Sequence, residues 1–191
     1  MPLPDHVPMS CRFTLSPMSD RFVDIILGAI EKVDTHMVRS KTGKLSTMYE
    51  GLRPYVEDGV KACFIHAYRP GVHMTMEAVY SKGWPGEKPE GPEAEEGEAP
   101  NAGAVGQVHF PMAAKMSLYV MDGGEWAKGR ETLEGLAREL GVLEGEEPDC
   151  LVLNGDVQQV FDCVEAANRW CAQVFGWYAL AVTFSVNSPT A

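Results

Sequence analysis

Short alternating segments and longer runs with an apolar residue every three or four positions succeed one another twice along the chain. Cys11-Arg-Phe-Thr-Leu15 alternates apolar and polar side chains, the mark of a half-buried strand, and Pro17 ends it. Phe22, Val23, Ile26, Leu27 and Ile30 then recur at helical spacing, with Ser19 or Asp20 placed to cap the helix and Gly28 weakening it slightly. Met37 to Ser40 reads as a short strand, Lys41-Thr-Gly43 as a turn, and Leu45 to Tyr49 as the hairpin partner. A second helix runs from about Arg53 to Tyr68, with Pro54 in its first turn and Val56, Val60, Cys63, Phe64 and Ala67 as its buried stripe. Pro70-Gly71 breaks the chain, and Val72 to Ser81 alternates as a fourth strand. The order is β-α-β-β-α-β, the split βαβ or ferredoxin-like unit, whose helices cover one sheet face and leave the other to be covered or to bind something.

The second half repeats the plan. A strand spans about Ala114 to Met121, and a helix about Glu125 to Leu140, stopped by Gly141. A weak hairpin follows around Gly145 to Pro148, because Glu144-Gly-Glu-Glu-Pro is a poor strand; its inner strand is Cys150 to Leu153. Then come a helix from about Val157 to Phe175 and a last strand, Tyr178 to Val186. The likeness is one of residues as well as pattern. Gly155 lies 104 positions after Gly51, and at that offset Val56, Asp58, Val60 and Ala62 meet Val160, Asp162, Val164 and Ala166. Cys11–Met18 aligns with Ala114–Met121 at an offset of 103, with Leu15/Leu118 and Met18/Met121 identical. Tyr80-Ser81…Pro85 meets Phe184-Ser185…Pro189, again 104 apart. Three matches in order at a nearly constant offset indicate an internal duplication, and a duplicated unit implies two related surfaces or sites.

Composition changes the picture at one place. From Gly83 to about Gly106 the chain is Pro, Gly and Glu with no large apolar residue over residues 88–101, so it cannot bury a core and is expected to be a flexible acidic linker. The expected units are therefore 10–86, a linker 87–106, and 107–191, with residues 1–9 as a loose tail. The linker carries much of the net charge of −11, which makes that total a poor guide to the charge of any site; nucleic acid is an unfavoured partner for such a surface. No run approaches the roughly 18 apolar residues of a membrane span, and Met1-Pro-Leu-Pro-Asp-His6 has no signal-peptide pattern, so a cytoplasmic location is expected. Cys11, Cys63, Cys150, Cys163 and Cys171 are odd in number and include no C-x-x-C pair, so they read as neither a disulfide framework nor a zinc site.

Catalytic signatures are missing. The chain has no G-x-S-x-G, P-loop, dinucleotide fingerprint or H-E-x-x-H. His66, His73 and Glu77 are the plausible titratable members of an enzymatic site. Ser46 and Thr47 place two short hydroxyl groups on the inner hairpin strand, each able to donate and accept in a tight space, as polar recognition of a heterocycle requires. The balance favours binding over turnover.

Arg12-Phe-Thr-Leu-Ser-Pro-Met-Ser-Asp20, taken with Lys41-Thr-x-x-Leu-Ser-Thr-Met48, resembles the first repeat of the YkoF family of thiamin/hydroxymethylpyrimidine-binding proteins. Ser81-x-Gly-x-Pro-Gly86 is similar to the end of that repeat, and Ser185-Val-Asn-Ser-Pro-Thr190 to the end of the second. The resemblance implies an α+β fold of tandem ferredoxin-like (ACT-like) βαββαβ repeats, a homodimer, and a thiamin-type ligand held by each repeat, with no cofactor and no catalysis. It also implies a cytoplasmic role in thiamin-precursor uptake or salvage, linked to a transporter. By position, the first site would use Leu15 and Thr47, with Ser46 beside it. In the second repeat Leu118 matches Leu15, whereas Leu151 stands at the position of Thr47 and Cys150 at that of Ser46. The expectation is one good site and one degraded or retuned site per chain. The competing reading is a regulatory or scaffold module whose duplicated sheet mediates association and whose ligand is an effector.

Overall fold

The computed structural model describes residues 7–83 and 97–190, and in it both repeats share one antiparallel sheet. The first repeat is β1 (Pro8–Pro17), α1 (Phe22–Lys32), β2 (Val38–Thr42), β3 (Thr47–Leu52), α2 (Arg53–Ala67) and β4 (Met74–Lys82). A four-residue helix, α3 (Ala102–Val105), precedes the second repeat: β5 (Pro111–Val120), α4 (Trp126–Glu139), β6 (Leu143–Glu147), β7 (Cys150–Asp156), α5 (Val157–Val174) and β8 (Tyr178–Val186). The eight strands lie in the order β2-β3-β1-β4-β8-β5-β7-β6. These are tandem ferredoxin-like repeats joined edge to edge through β4 and β8.

The duplication is written in the strand register. β1 pairs with β3 from Pro8↔Leu52 to Phe13↔Thr47, and β5 with β7 from Pro111↔Asp156 to Met116↔Leu151, the same ladder displaced by 103 and 104 residues. The central β4–β8 ladder runs from Met74↔Val186 through Ala78↔Val182 to Lys82↔Tyr178, so it maps onto itself when the repeats are exchanged. A pseudo-twofold axis therefore passes by the Ala78–Val182 pair.

Alternation decides which face is buried. Met9, Cys11, Phe13 and Leu15 are buried on β1, and their neighbours Tyr80, Ala78, Met76, Phe184, Val182 and Met116 continue that face across the sheet. The opposite face carries Arg12, Thr14, Glu77, Thr183 and Lys115, with Ser81, Ala179 and Ala181 between them, and is exposed or half-buried. Rings of α2 and α5 meet over the buried face: Phe64 lies 5.7 Å from Phe161, edge-on, and Phe161 stacks on Phe184 at 4.6 Å.

Several sequence expectations change in the structure. The face of α1 that meets the sheet is Ile25, Ala29 and, just past its end, Val33, spaced by four; Phe22, Val23 and Leu27 are about half exposed. The helix is apolar around most of its girth, so spacing alone does not say which stripe docks. Its N-cap is Arg21 rather than Ser19 or Asp20, while the Ser19 hydroxyl accepts from the Arg21 N–H at 3.1 Å. Pro8 and Met9 belong to β1, with Met9 fully buried, so the strand begins before the expected tail ends; residues 1–6 lie outside the described residues. Residues 84–96, which include half of the expected acidic linker, also lie outside them. Residues 97–106 are docked on the first repeat: buried Asn101 donates to Asp58 Oδ2 (2.7 Å) and to the Asp34 carbonyl (3.0 Å), and accepts from the Asp34 N–H (2.8 Å).

Candidate functional site

The site follows from one strand being longer than its neighbour. β1 has partners on β3 only as far as Phe13↔Thr47, and then runs on to Pro17 with β4 alone beside it. Hydrogen-bonded and non-bonded pairs alternate along an antiparallel ladder. Met18 donates its N–H to the His73 carbonyl (2.8 Å), so the even residues of β1 bond toward β4 and Leu15 turns its N–H and C=O the other way, into the space β3 has vacated. The same parity holds in the second repeat. Met121 donates to the Trp177 carbonyl (3.0 Å), and Leu118 turns its peptide groups away from β8, past the last β5–β7 pair at Met116↔Leu151. Among the described residues, each repeat thus ends in a leucine with a peptide donor and acceptor side by side and no strand opposite.

Side chains complete these places unequally. In the first repeat, Leu15 and Thr47 are buried on the helix side of adjacent strands, and Thr47 Oγ1 shares a hydrogen bond with Thr42 Oγ1 (3.1 Å). Ser46, one residue before β3, is half-buried and by alternation turns from Thr47 toward the other face. The structure therefore brings Leu15 and Thr47 together and separates Ser46 from them. The Thr14 hydroxyl donates to the Leu45 carbonyl (3.0 Å), which pins the β2–β3 turn to β1. Phe22, the first residue of α1, is half exposed.

In the second repeat Leu118, Cys150 and Leu151 line one cavity together with Met116 and Leu133. Its free volume, about 10 Å³, is that of a single water. Trp126 and Arg130, both from α4, line it as well. The Trp126 indole N–H donates to the Leu118 carbonyl at 2.8 Å, and the Arg130 guanidinium lies over the ring, 5.7 Å from its centroid. The Cys150 thiol donates to Glu147 Oε2 (3.6 Å), and burial followed by the Glu147 carboxylate pushes its pKa up, making it a poor nucleophile. Glu147, Asp149 and Cys150 bring ligand atoms within 4.8 Å of one another, but Glu147 is already paired with Lys115 (2.7 Å), which a cation would have to displace.

The three candidate titratable groups do not converge. Glu77 stands exposed on the open face between Thr14 and Thr183, while His66 is on α2 in the helix layer, its pKa lowered by burial and then by Lys32 and Arg69. His73 contacts Ser185 Oγ at 3.3 Å. Sequence reasoning missed Trp126 and Arg130. A signal was present: Trp126 lies 104 residues after Phe22, so an aromatic side chain opens the first helix of both repeats.

The YKOF-related family model matches this chain twice, over residues 8–87 and again over residues 112–191. The chain belongs to the YKOF-related family. Both matches coincide with the structural repeats, so family membership and the duplicated fold are one finding. Among characterised proteins, the chain is similar to a Bacillus subtilis (strain 168) protein provisionally named HMP/thiamine-binding protein YkoF. The two are 29% identical over 180 residues, covering 94% of this chain and 90% of that protein.

Proposed function

We propose that this YKOF-related protein binds thiamin or its hydroxymethylpyrimidine precursor at the open strand end of its first repeat, and releases it unchanged. One observation carries the reading: Leu15 presents a peptide N–H and C=O outward, with no strand of the described residues opposite, beside the buried Thr47 hydroxyl. An aminopyrimidine offers the complementary edge, an exocyclic amine that donates and a ring nitrogen that accepts. Phe22 supplies an aromatic surface at the same end for the ring to stack on. The name of the Bacillus relative supports the ligand class. The separation of His66, His73 and Glu77 supports binding without turnover.

The reading includes a cytoplasmic carrier role in thiamin-precursor uptake or salvage, exchanging ligand with a transporter. Among the described residues no helix is long and apolar enough to cross a membrane. It also includes a homodimer, for which the open sheet face is the candidate surface: Val79 and Tyr119 expose apolar side chains there, with the small Ser81, Ala179, Ala181 and Ser117 between them for another sheet to approach. The units are 10–86 and 107–191, with 87–106 as the connection.

Isothermal titration calorimetry with thiamin and with hydroxymethylpyrimidine tests the proposal. Saturable heat with either compound, with a matching rise in melting temperature, is the expected result, because a ligand that binds only the folded state must stabilise it. Absence of both heat and thermal shift would leave the regulatory or scaffold reading in its place.

A further inference from the structure

The two leucine peptides that open to one side, Leu15 and Leu118, are related by the duplication, yet what faces their carbonyls differs. On the helices, the buried series Ile25, Ala29 and Val33 maps onto Gly129, Leu133 and Ala137, so at the same offset Phe22 maps onto Trp126 and Ile26 onto Arg130. Phe22 has no hydrogen to donate. Trp126 donates its indole N–H to the Leu118 carbonyl at 2.8 Å, the counterpart of the acceptor that Leu15 holds out in the first repeat.

Arg130 fixes that arrangement. Its guanidinium lies over the Trp126 ring, while Nη1 donates to the Pro148 carbonyl and Nη2 to the Glu147 carbonyl, both at 2.6 Å. It therefore ties α4 to the β6–β7 turn across the pocket mouth. Gly129 lets the helix come down: a Cβ there would meet Leu118 Cδ2 at 2.7 Å, whereas the first repeat carries Ile25 at this position. Helix, turn and strand close on one another, and the cavity between them keeps about 10 Å³.

We propose that Trp126 is an internal plug, its indole N–H standing in for the amine of a pyrimidine ligand, and Arg130 the latch that holds it. The second-repeat site is closed at rest and each chain loads one ligand, in the first repeat. This rests on the reading of the first repeat as a pyrimidine site. It makes a different claim from the loss of the Thr47 hydroxyl at Leu151: the second site is occupied from within, and removing the occupant opens it. Trp126 is 43% exposed and its removal disturbs little of the core, so variants at this position are expected to fold.

The test is the stoichiometry of hydroxymethylpyrimidine binding to the full chain, by calorimetry, for the wild type, Trp126→Phe and Trp126→Ala. One site in the wild type and a second in Trp126→Ala supports the plug. That second site should be about tenfold or more weaker than the first, because Leu151 offers no hydroxyl. Trp126→Phe installs the first repeat's residue, a smaller aromatic ring with no N–H, so a second site there too would show that an aromatic ring without the hydrogen bond does not hold the plug. Repeating the titration with Thr47→Val/Trp126→Ala, in which the first site is weakened, locates the new heat in the second repeat. Two sites in the wild type, or one site in all single variants, would overturn the plug and leave the first-repeat reading standing. No binding by any of the proteins would overturn both.

Discussion

Asn168→Ala tests what holds the two repeats together. Asn168 is on α5, fully buried, and reaches across the repeat boundary: Nδ2 donates to Glu57 Oε1 on α2 at 2.7 Å, and Oδ1 accepts from the Tyr178 hydroxyl at 2.6 Å. Glu57 is in turn paired with Arg53 at 2.5 Å, both side chains almost fully buried. Truncation leaves Tyr178 with the Asn168 carbonyl at 3.1 Å as an acceptor, so its hydroxyl is not stranded. Glu57 Oε1 loses its amide donor, which costs about 1–3 kcal/mol, and the emptied space adds about 1 kcal/mol more. The expected loss is about 2–4 kcal/mol, out of the roughly 5–15 kcal/mol that stabilises a typical fold. For a chain of this size that is a fall in melting temperature of about 4–16 °C. Urea denaturation followed by circular dichroism at pH 6 and pH 9 measures it. The loss should be larger at pH 9, where Glu57 is ionised and its buried Oε1 is left with no amide donor, Arg53 holding only Oε2. A loss under about 0.5 kcal/mol at both values, in water-extrapolated free energy, would refute the reasoning and mean that water replaces the amide without cost.

Three further outcomes follow from single groups. Thr47→Val keeps the shape of a buried strand residue and removes the hydroxyl paired with Thr42; hydroxymethylpyrimidine should bind about tenfold to a hundredfold more weakly by calorimetry, the roughly 1–3 kcal/mol of an unmatched polar group, and an unchanged affinity would remove Thr47 from the site. Tyr49→Phe should raise stability by about 1 kcal/mol in thermal or urea unfolding, because the Tyr49 hydroxyl is buried with no hydrogen-bond partner among the described residues; a loss of stability would show that the hydroxyl is satisfied in solution. Burial raises the Glu57 pKa to about 8 despite Arg53 and Asn168, so the folded chain keeps a proton that the unfolded chain releases near 4.5. The contribution of that proton to stability is complete below about 4.5 and is lost as pH rises through about 8. Melting temperatures of the wild type should accordingly fall relative to Glu57→Gln between pH 5 and 8.5, and parallel curves would place the Glu57 pKa in the ordinary carboxylate range.

The duplication was legible in the sequence because it resides in periodicity, and periodicity is local. Leu118, Cys150 and Leu151 were read as counterparts of Leu15, Ser46 and Thr47 by offset alone, and the structure gathers all three on one cavity. What escaped depends on contacts distant in sequence or on faces that composition does not distinguish. α1 is apolar on most sides, so only docking reveals that Ile25 and Ala29 face the sheet while Phe22 and Leu27 do not. β6, Leu143–Glu147, has the composition of a poor strand, yet it forms at a sheet edge, where charged side chains are tolerated, and is tied inward by Lys115 and Arg130. Asn101 belongs to a segment too polar to predict as packed, and it is buried because each end of its amide finds a partner on the first repeat. The Trp126–Leu118 bond spans only eight residues, but it is specified by the helix approach that Gly129 allows rather than by either residue type.

Fusing the repeats into one chain frees them from having to be alike, and the helix layer shows where that freedom was used. Exchange of repeats carries Glu57 onto Phe161 and Phe64 onto Asn168. The α2–α5 boundary therefore contains one contact made twice. On one side of the pseudo-twofold axis it is Phe64 against Phe161; on the other it is Asn168 against Glu57. In a dimer of a single repeat both contacts would be identical, and a polar pair such as Arg53–Glu57 would be buried in duplicate, at twice the desolvation cost. Here the polar version occurs once, opposed by an aromatic one. A polar contact satisfied in one arrangement only disfavours any other docking of α5 on α2, since a shift would leave Glu57 buried without its amide. The sheet, whose register is symmetric to the residue, cannot supply that discrimination. The same departure from symmetry reaches the strand ends, where Thr47 and Phe22 stand against Leu151 and Trp126: once the helix layer fixes how the halves dock, the two ends are free to differ in what they hold.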